Sequence, residues 1–304
     1  MRARSTRLGM ISPWWIAVVV RPPPESRHER HRATRADRPR RRWWRSWPAG
    51  SWRLQTWRVS AADLVVIALA TAGGAFVKSV TGMGYPLFAV PVASLFMPVT
   101  DAVVVVSAPN VVLNGALCWN ARRGRRDSRD LPTLLVAGAL GAVPGTLALV
   151  ELPEEPILVA LAVTIVAYVV RMTTGPELTL DPDTTRRWGP VVAGVAGLFQ
   201  GAIGVSGPIV ASWIHAYRLP RDAFVFSITA MFLVSGATQV GVLAARGEYD
   251  AGRLAAAALA LVISLAVMPL GTRTRDRLAR RGFDRAVLAV LAASALALVV
   301  RAVG

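Results

Sequence analysis

The chain has 304 residues but one cysteine, one lysine and three histidines. A lone Cys118 excludes an intrachain disulfide and a cysteine-based metal cluster. His28, His31 and His215 are scattered, with no pair at ligand spacing along a helix. No metal and no redox cofactor is therefore expected. Charge is missing altogether from long stretches. No Asp, Glu, Lys or Arg occurs in 102–121, 131–150, 188–217, 223–245 or 254–272. Each run approaches or exceeds the roughly 20 apolar residues that cross a hydrocarbon core as a helix. Two shorter runs, 156–170 and 286–300, are flanked by arginines able to snorkel. A soluble core is excluded, and the fold class expected is all-α, a polytopic helical membrane protein. The missing carboxylates also leave an acidic proton relay or a buried cation site without an obvious residue.

The net charge of +17 is concentrated at one end of the chain. Residues 1–60 carry fifteen Arg against three acidic residues, +12 of the total, so the rest is only +5. Seven of the ten Trp lie in the same segment, a composition suited to anionic headgroups. Residues 1–60 read as a disordered, membrane-proximal basic tail. No motif supports nucleic-acid binding by it. A signal peptide is disfavoured by Pro13 and the prolines that follow the short apolar run. A translation start near Val59 is the alternative reading of the tail.

What the chain does contain is a paired interruption. "VKSVTGMGYPLFAVP" at 77–91 places Lys78, Gly82, Gly84, Pro86 and Pro91 inside an apolar segment. "GMGYP" at 82–86 matches "GVSGP" at 204–208, and "DAVVVVSAPNVVLNGA" at 101–116 matches "DAFVFSITAMFLVSGA" at 222–237. "AVPGT" at 142–146 similarly resembles "AVMPLGT" at 266–272. Three matches in one order indicate an internal repeat. The halves expected are 61–172 and 190–304, joined by a linker loop at 173–189. Run 188–217 is thirty residues, about 45 Å as a straight helix against a core of about 30 Å. A break at Gly204–Pro208 resolves the excess length. The Arg-rich loops at 122–129 and 273–285 favour the cytoplasm, and "ELPEEP" at 151–156 the outside. Satisfying both loops requires inverted repeats, with each interrupted segment a hairpin that enters and leaves on one side. That arrangement puts the basic tail outside, against the same rule.

Non-helical backbone at membrane depth survives only where protein or a watery cavity covers it. Paired interruptions point to a transporter's substrate site. A helix starting just after a break presents N–H groups and a partial positive charge suited to an anion. Lys78 adds a full charge, whose burial at helix centre costs about 2.5–3.5 kcal/mol. The candidate site is Lys78, Ser79, Thr81, Gly82, Gly84 and Pro86 at the first break. Gln200, Gly201, Gly204, Ser206, Gly207 and Pro208 form its counterpart at the second. Asn110 and Asn114 complete it, sharing one helix face with Ser107. Small polar residues also bond helices together in membranes, and Ser235, Thr238 and Gln239 are open to both readings. His215 reads as an interfacial histidine.

"GGAFVKSVTGMGYPLFAVP" at 73–91 and "GVAGLFQGAIGVSGPIVASWI" at 194–214 resemble the two Gly-rich signatures of the TauE/SafE-like sulfite exporter family. The resemblance spans roughly 60–304. It departs from the family pattern at Tyr85 and Pro86, where a further glycine pair is usual. It implies a multi-pass inner-membrane permease for small anions such as sulfite or organosulfonates, with no catalytic reaction. Its expected partners are a small anionic substrate and the lipid bilayer, and a homo-oligomer is compatible with it. A permease of the same fold for carboxylates or other solutes is the alternative. A membrane assembly factor would need facing catalytic or metal-binding groups, and none is seen.

Overall fold

The computed structural model describes residues 60–81, 84–174, 181–274 and 280–303. Among these the chain forms ten α-helices, one 3₁₀ turn and no strand. The first half runs α1 (Ala61–Thr81), α2 (Tyr85–Ala93), α3 (Val99–Asn120), α4 (Leu131–Glu151) and α5 (Glu154–Thr174). The second runs α6 (Pro182–Ile203), α7 (Gly207–Ala216), α8 (Arg221–Ala245), α9 (Ala251–Thr274) and α10 (Arg280–Val303). The 3₁₀ turn, Arg122–Asp127, joins α3 to α4. The tail at 1–59 and residues 175–180 of the linker lie outside the described residues.

Six helices, α1, α3, α4, α5, α8 and α9, are long and apolar enough to cross a membrane, and α10 adds the shorter apolar stretch Ala286–Ala302. Leu69, Leu140 and Leu296 are each 68% exposed, which fits a surface solvated by lipid rather than water. The chain is a multi-pass membrane protein. The short run at 156–170 lengthens into the 21-residue α5 because its first turn is held in place. Glu154 accepts from the Val99 amide at 2.9 Å and from Arg301 at 3.1 Å.

Charge pairs gather at one end of the bundle. There Arg253 of α9 meets Asp101 of α3, Arg301 of α10 meets Glu154 of α5, and Arg246 after α8 meets Glu151 of α4. At the other end the 3₁₀ turn lies on the start of α8, with Gly124 against the Asp222 backbone. There the Tyr217 hydroxyl also donates to the Thr185 carbonyl at 3.3 Å. These are called below the Glu154 end and the Arg122 end.

The two interrupted segments are helical hairpins that enter from opposite ends. α1 starts at the Glu154 end, where Ile67 and Ala70 pack with Met97 and Ala256. α2 folds back along it, Gly74 lying under Tyr85 and Gly73 under Phe88, so the chain returns to Met97. α6 starts at the Arg122 end, where Asp181 caps it by accepting from the Thr184 amide at 2.7 Å. α7 folds back along α6, bringing Trp213 and Tyr217 beside Gly189. The helix pairings are reciprocal: α1 packs on α9 and α6 on α4, α3 on α9 and α8 on α4, α2 on α10 and α7 on α5.

Both breaks have a backbone cause. Gly84 sits at φ 98° and Gly204 at φ 70°, left-handed conformations that cost an L side chain roughly 1–2 kcal/mol. The Gly204 amide closes α6 on the Gln200 carbonyl at 2.9 Å, the usual glycine ending of a helix. Pro86 and Pro208 then open α2 and α7 in the first turn, where a missing N–H breaks no helical bond. The long arm of the second hairpin is seated by close approach. A Cβ on Gly197 would lie 2.0 Å from the Gly138 carbonyl oxygen, and one on Gly141 2.0 Å from that of Gly194. Small residues let the α4 and α6 backbones touch, the packing that replaces the hydrophobic effect between helices in lipid.

Candidate functional site

The tips of the two hairpins meet around one cavity. Its wall is made by Lys78, Gly84, Pro86 and Leu87 from the first hairpin, and by Gln200, Gly204, Val205, Ser206 and Gly207 from the second. Asn110 of α3 and Phe232 of α8 close it. It leaves about 20 Å³ for the centre of a water-sized sphere, room for about one water. An anion larger than water therefore fits here only if the hairpins or their neighbours move.

Lys78 is 2% exposed and comes from the last turn of α1. Its Nζ donates to Asn114 Oδ1 at 2.8 Å. Asn114 is oriented in turn by its own amide, which donates to the Asn110 carbonyl at 2.9 Å and to Asn110 Oδ1 at 3.0 Å. Among the described residues Lys78 has no carboxylate partner. A buried ammonium held by one neutral oxygen leaves most of its desolvation uncompensated.

The second hairpin answers with neutral groups. Ser206 Oγ donates to Gln200 Oε1 at 2.8 Å, Gln200 Nε2 donates to Gln239 Oε1 at 3.4 Å, and Gln239 Nε2 to the Gly201 carbonyl at 3.1 Å. A hairpin residue thus bonds to the facing long helix in both halves, Lys78 to α3 and Gln200 to α8. Both α2 and α7 start at the cavity, so two helix N-termini and one ammonium give it a positive potential.

The residues singled out in the sequence divide between this wall and its support. Lys78, Gly84, Pro86, Asn110, Gln200, Gly204, Ser206 and Gly207 are brought together in the wall. Asn114 stands behind it, holding Lys78. Ser79 turns toward α9, where its Oγ would lie 1.6 Å from a Cβ on Gly271, and it donates to the Phe76 carbonyl at 2.7 Å. Thr81 donates to the Val77 carbonyl at 2.8 Å and lines a neighbouring cavity with Tyr168 and Met172. Gly201 faces α4, and Pro208 follows in the first turn of α7. Gly82 lies outside the described residues. Leu87, Val205 and Phe232 were not foreseen. Val205 was findable as the residue between two chosen ones, whereas Leu87 and Phe232 carry no chemical mark.

His215 is exposed, meets the Phe224 ring edge-on at 6.0 Å, and does not line the cavity. Among the described residues no cluster of three His, Cys, Asp or Glu could hold a metal.

A bundle of membrane-crossing helices with two hairpins meeting tip to tip around a buried cation defines a polytopic membrane protein of the transporter class. The family model for sulfite exporter TauE/SafE matches residues 66–298, and the chain belongs to that family. It is a membrane transporter of the sulfite-exporter type. Comparisons with curated proteins and with solved structures give no match.

Proposed function

We propose that the protein moves small anions across the cell inner membrane, with sulfite or an organosulfonate as substrate, and that the cavity between the hairpin tips is the binding site. The observation that carries this reading is the buried Lys78 ammonium, which among the described residues has no carboxylate, at a point where two helices begin. A bound anion supplies the counter-charge that the fold withholds. The site comprises the residues named from the sequence, Gly82 included, with Asn114 and Gln200 orienting Lys78 and Ser206. Pro208 acts by starting α7, and Ser79, Thr81 and Gly201 act by seating the hairpins.

The halves 61–172 and 190–304 are read as inverted repeats about a linker at 173–189, with 1–60 an appended tail. The reciprocal pairings and the opposite entry of the two hairpins support this. The Arg122 end is assigned to the cytoplasm, because Arg122, Arg123, Arg125 and Arg126 cluster there.

Counterflow of labelled sulfite in proteoliposomes tests the substrate. Exchange driven by sulfite or a sulfonate, but not by acetate or succinate, supports the reading. Exchange driven by carboxylates alone replaces it with the same-fold carboxylate permease. No counterflow with any anion in the panel removes the anion-transport assignment.

A further inference from the structure

The loop between α8 and α9 lies at the Glu154 end, where it is pinned by one arginine. Arg253 is only 12% exposed in its side chain. Its guanidinium reaches Asp101 of α3 at 2.7 Å on one side. On the other side Nη1 donates to the Glu248 carbonyl at 2.9 Å and to Glu248 Oε2 at 2.5 Å. The Arg253 amide donates to Asp250 Oδ1 at 2.8 Å. Four contacts from one residue therefore fix Glu248 and Asp250 on either side of Tyr249.

Tyr249 reaches inward from this pinned loop. Its hydroxyl is 2.8 Å from Ser107 Oγ and donates to the Val104 carbonyl at 3.4 Å. Ser107 is buried and lies one helical turn before Asn110, on the face of α3 that also carries Asn114. The Tyr249 ring packs on the apolar cluster that holds Ile203 and Val205, and Val205 lines the cavity. Burial pushes the Tyr249 hydroxyl above the usual phenol range, so it stays a neutral donor.

We propose that Tyr249 is the gate on the Glu154 side of the anion cavity and that Arg253, through Asp101 and Glu248, is the latch that holds it shut. The assignment rests on the transport reading above. Opening this side requires Tyr249 to leave Ser107, and the loop moves only when Arg253 lets go of a carboxylate. Arg253 is thus a positioning residue, and Tyr249 is the barrier itself.

Cys118→Ser gives a chain without cysteine, and Leu87→Cys then places one thiol in the apolar part of the cavity wall. Membrane-impermeant maleimide is applied to each face of sealed vesicles, with and without methanesulfonate, a sulfonate that does not add to the maleimide as sulfite does. Arg253→Gln should raise labelling from the Glu154 face by about tenfold, the change that loss of a charge-assisted contact of roughly 1.5 kcal/mol or more brings to a closing equilibrium. Tyr249→Ala should do the same, and Arg253→Lys should fall between, because one ammonium cannot fork between two carboxylates. Labelling from the Arg122 face should not rise. Should Arg253→Gln fail to elute as a folded protein, Glu248→Gln releases one arm of the latch and carries the same expectation.

Labelling unchanged in these variants, with methanesulfonate still protecting the thiol, overturns the gate and leaves the anion site standing. Labelling that rises while methanesulfonate gives no protection upholds the gate and overturns the anion site.

Discussion

Lys78 of α1 and Asn114 of α3 form a direct polar link, Nζ to Oδ1 at 2.8 Å, between the first hairpin and the long helix that faces it. The bond is charge-assisted on one side only. A neutral oxygen steadies the ammonium without cancelling it, which keeps the charge available to a ligand. Isosteric exchange of this oxygen carrier probes that balance. Asn114→Asp places a carboxylate at the same point, creates an internal ion pair, and should abolish anion binding while the protein still inserts. Asn114→Leu leaves Lys78 without its partner and should destabilise the protein by roughly 1–3 kcal/mol. Thermal unfolding in detergent beside anion titration separates the two effects.

Removing the charge itself should act on binding alone. Lys78→Met is expected to weaken the anion by at least tenfold, about 1.4 kcal/mol, since a charge-assisted contact contributes roughly 1.5–3 kcal/mol. Lys78→Arg should keep part of the affinity, because the charge survives in a different geometry. Equal affinity of wild type and Lys78→Met would remove Lys78 from the site.

The breaks respond to backbone rather than to space. Around Gly204 the nearest atoms to an added Cβ are 3.6 Å away, so room exists, but φ is 70°. Gly204→Val should cost roughly 1–2 kcal/mol or more and stop transport, and Gly204→Asn should retain more activity because Asn tolerates the left-handed region. Gly207 shows the reverse. Its Cβ would meet only Phe232, at 3.9 Å, and its backbone carries no such strain. Gly207→Ala should fold normally and slow transport by narrowing the cavity. Expression level measured beside transport rate distinguishes these outcomes.

The α4–α6 contact should be intolerant of a single methyl. Gly197→Ala drives a Cβ to 2.0 Å of a backbone oxygen that cannot yield. It is expected to lower the yield of folded protein severalfold. Gly241→Ala, with nothing within 4 Å, should be neutral or stabilise α8 by about 0.5–1 kcal/mol. Similar yields from both variants would show that the close approach is not needed for folding.

Deleting residues 1–58 should leave insertion and transport largely intact, because α1 begins at Ala61 and its packing starts with Ile67. Loss of folding on this truncation would make the tail part of the membrane structure.

The parts of this architecture that were legible in the sequence are those where one residue contradicts its neighbours. Gly84, Pro86, Gly204 and Pro208 stand out in apolar segments, and both breaks lie where they do. Lys78 stands out as the lone charge. What could not be read were the relationships between residues far apart in the chain. Gly138, Gly141, Gly194 and Gly197 announce that some helix approaches closely, but apolar faces in lipid do not say which. Lys78 and Ser79 are neighbours in the chain. Yet Lys78 faces the cavity and Ser79 faces α9, because a turn of roughly 100° per residue separates adjacent positions. Arg253 and Asp101 were hidden for a different reason. Charges at helix ends ordinarily snorkel, and only the fold shows that these two are buried against each other.

The reciprocal packing of the hairpins also dictates an order of assembly. The long arm of the first hairpin rests on α9, with Ser79 set against Gly271, so its seat is among the last segments to leave the ribosome. At about 5–20 residues per second, α1 waits on the order of ten seconds or more for that seat. Through that interval the Lys78 ammonium is in the bilayer without its final surroundings. Asn114 of α3 emerges early enough to act as its first companion. The same hydrogen bond that steadies the site in the finished protein is thus placed to shelter a charge during its biogenesis, before the second half of the cavity exists.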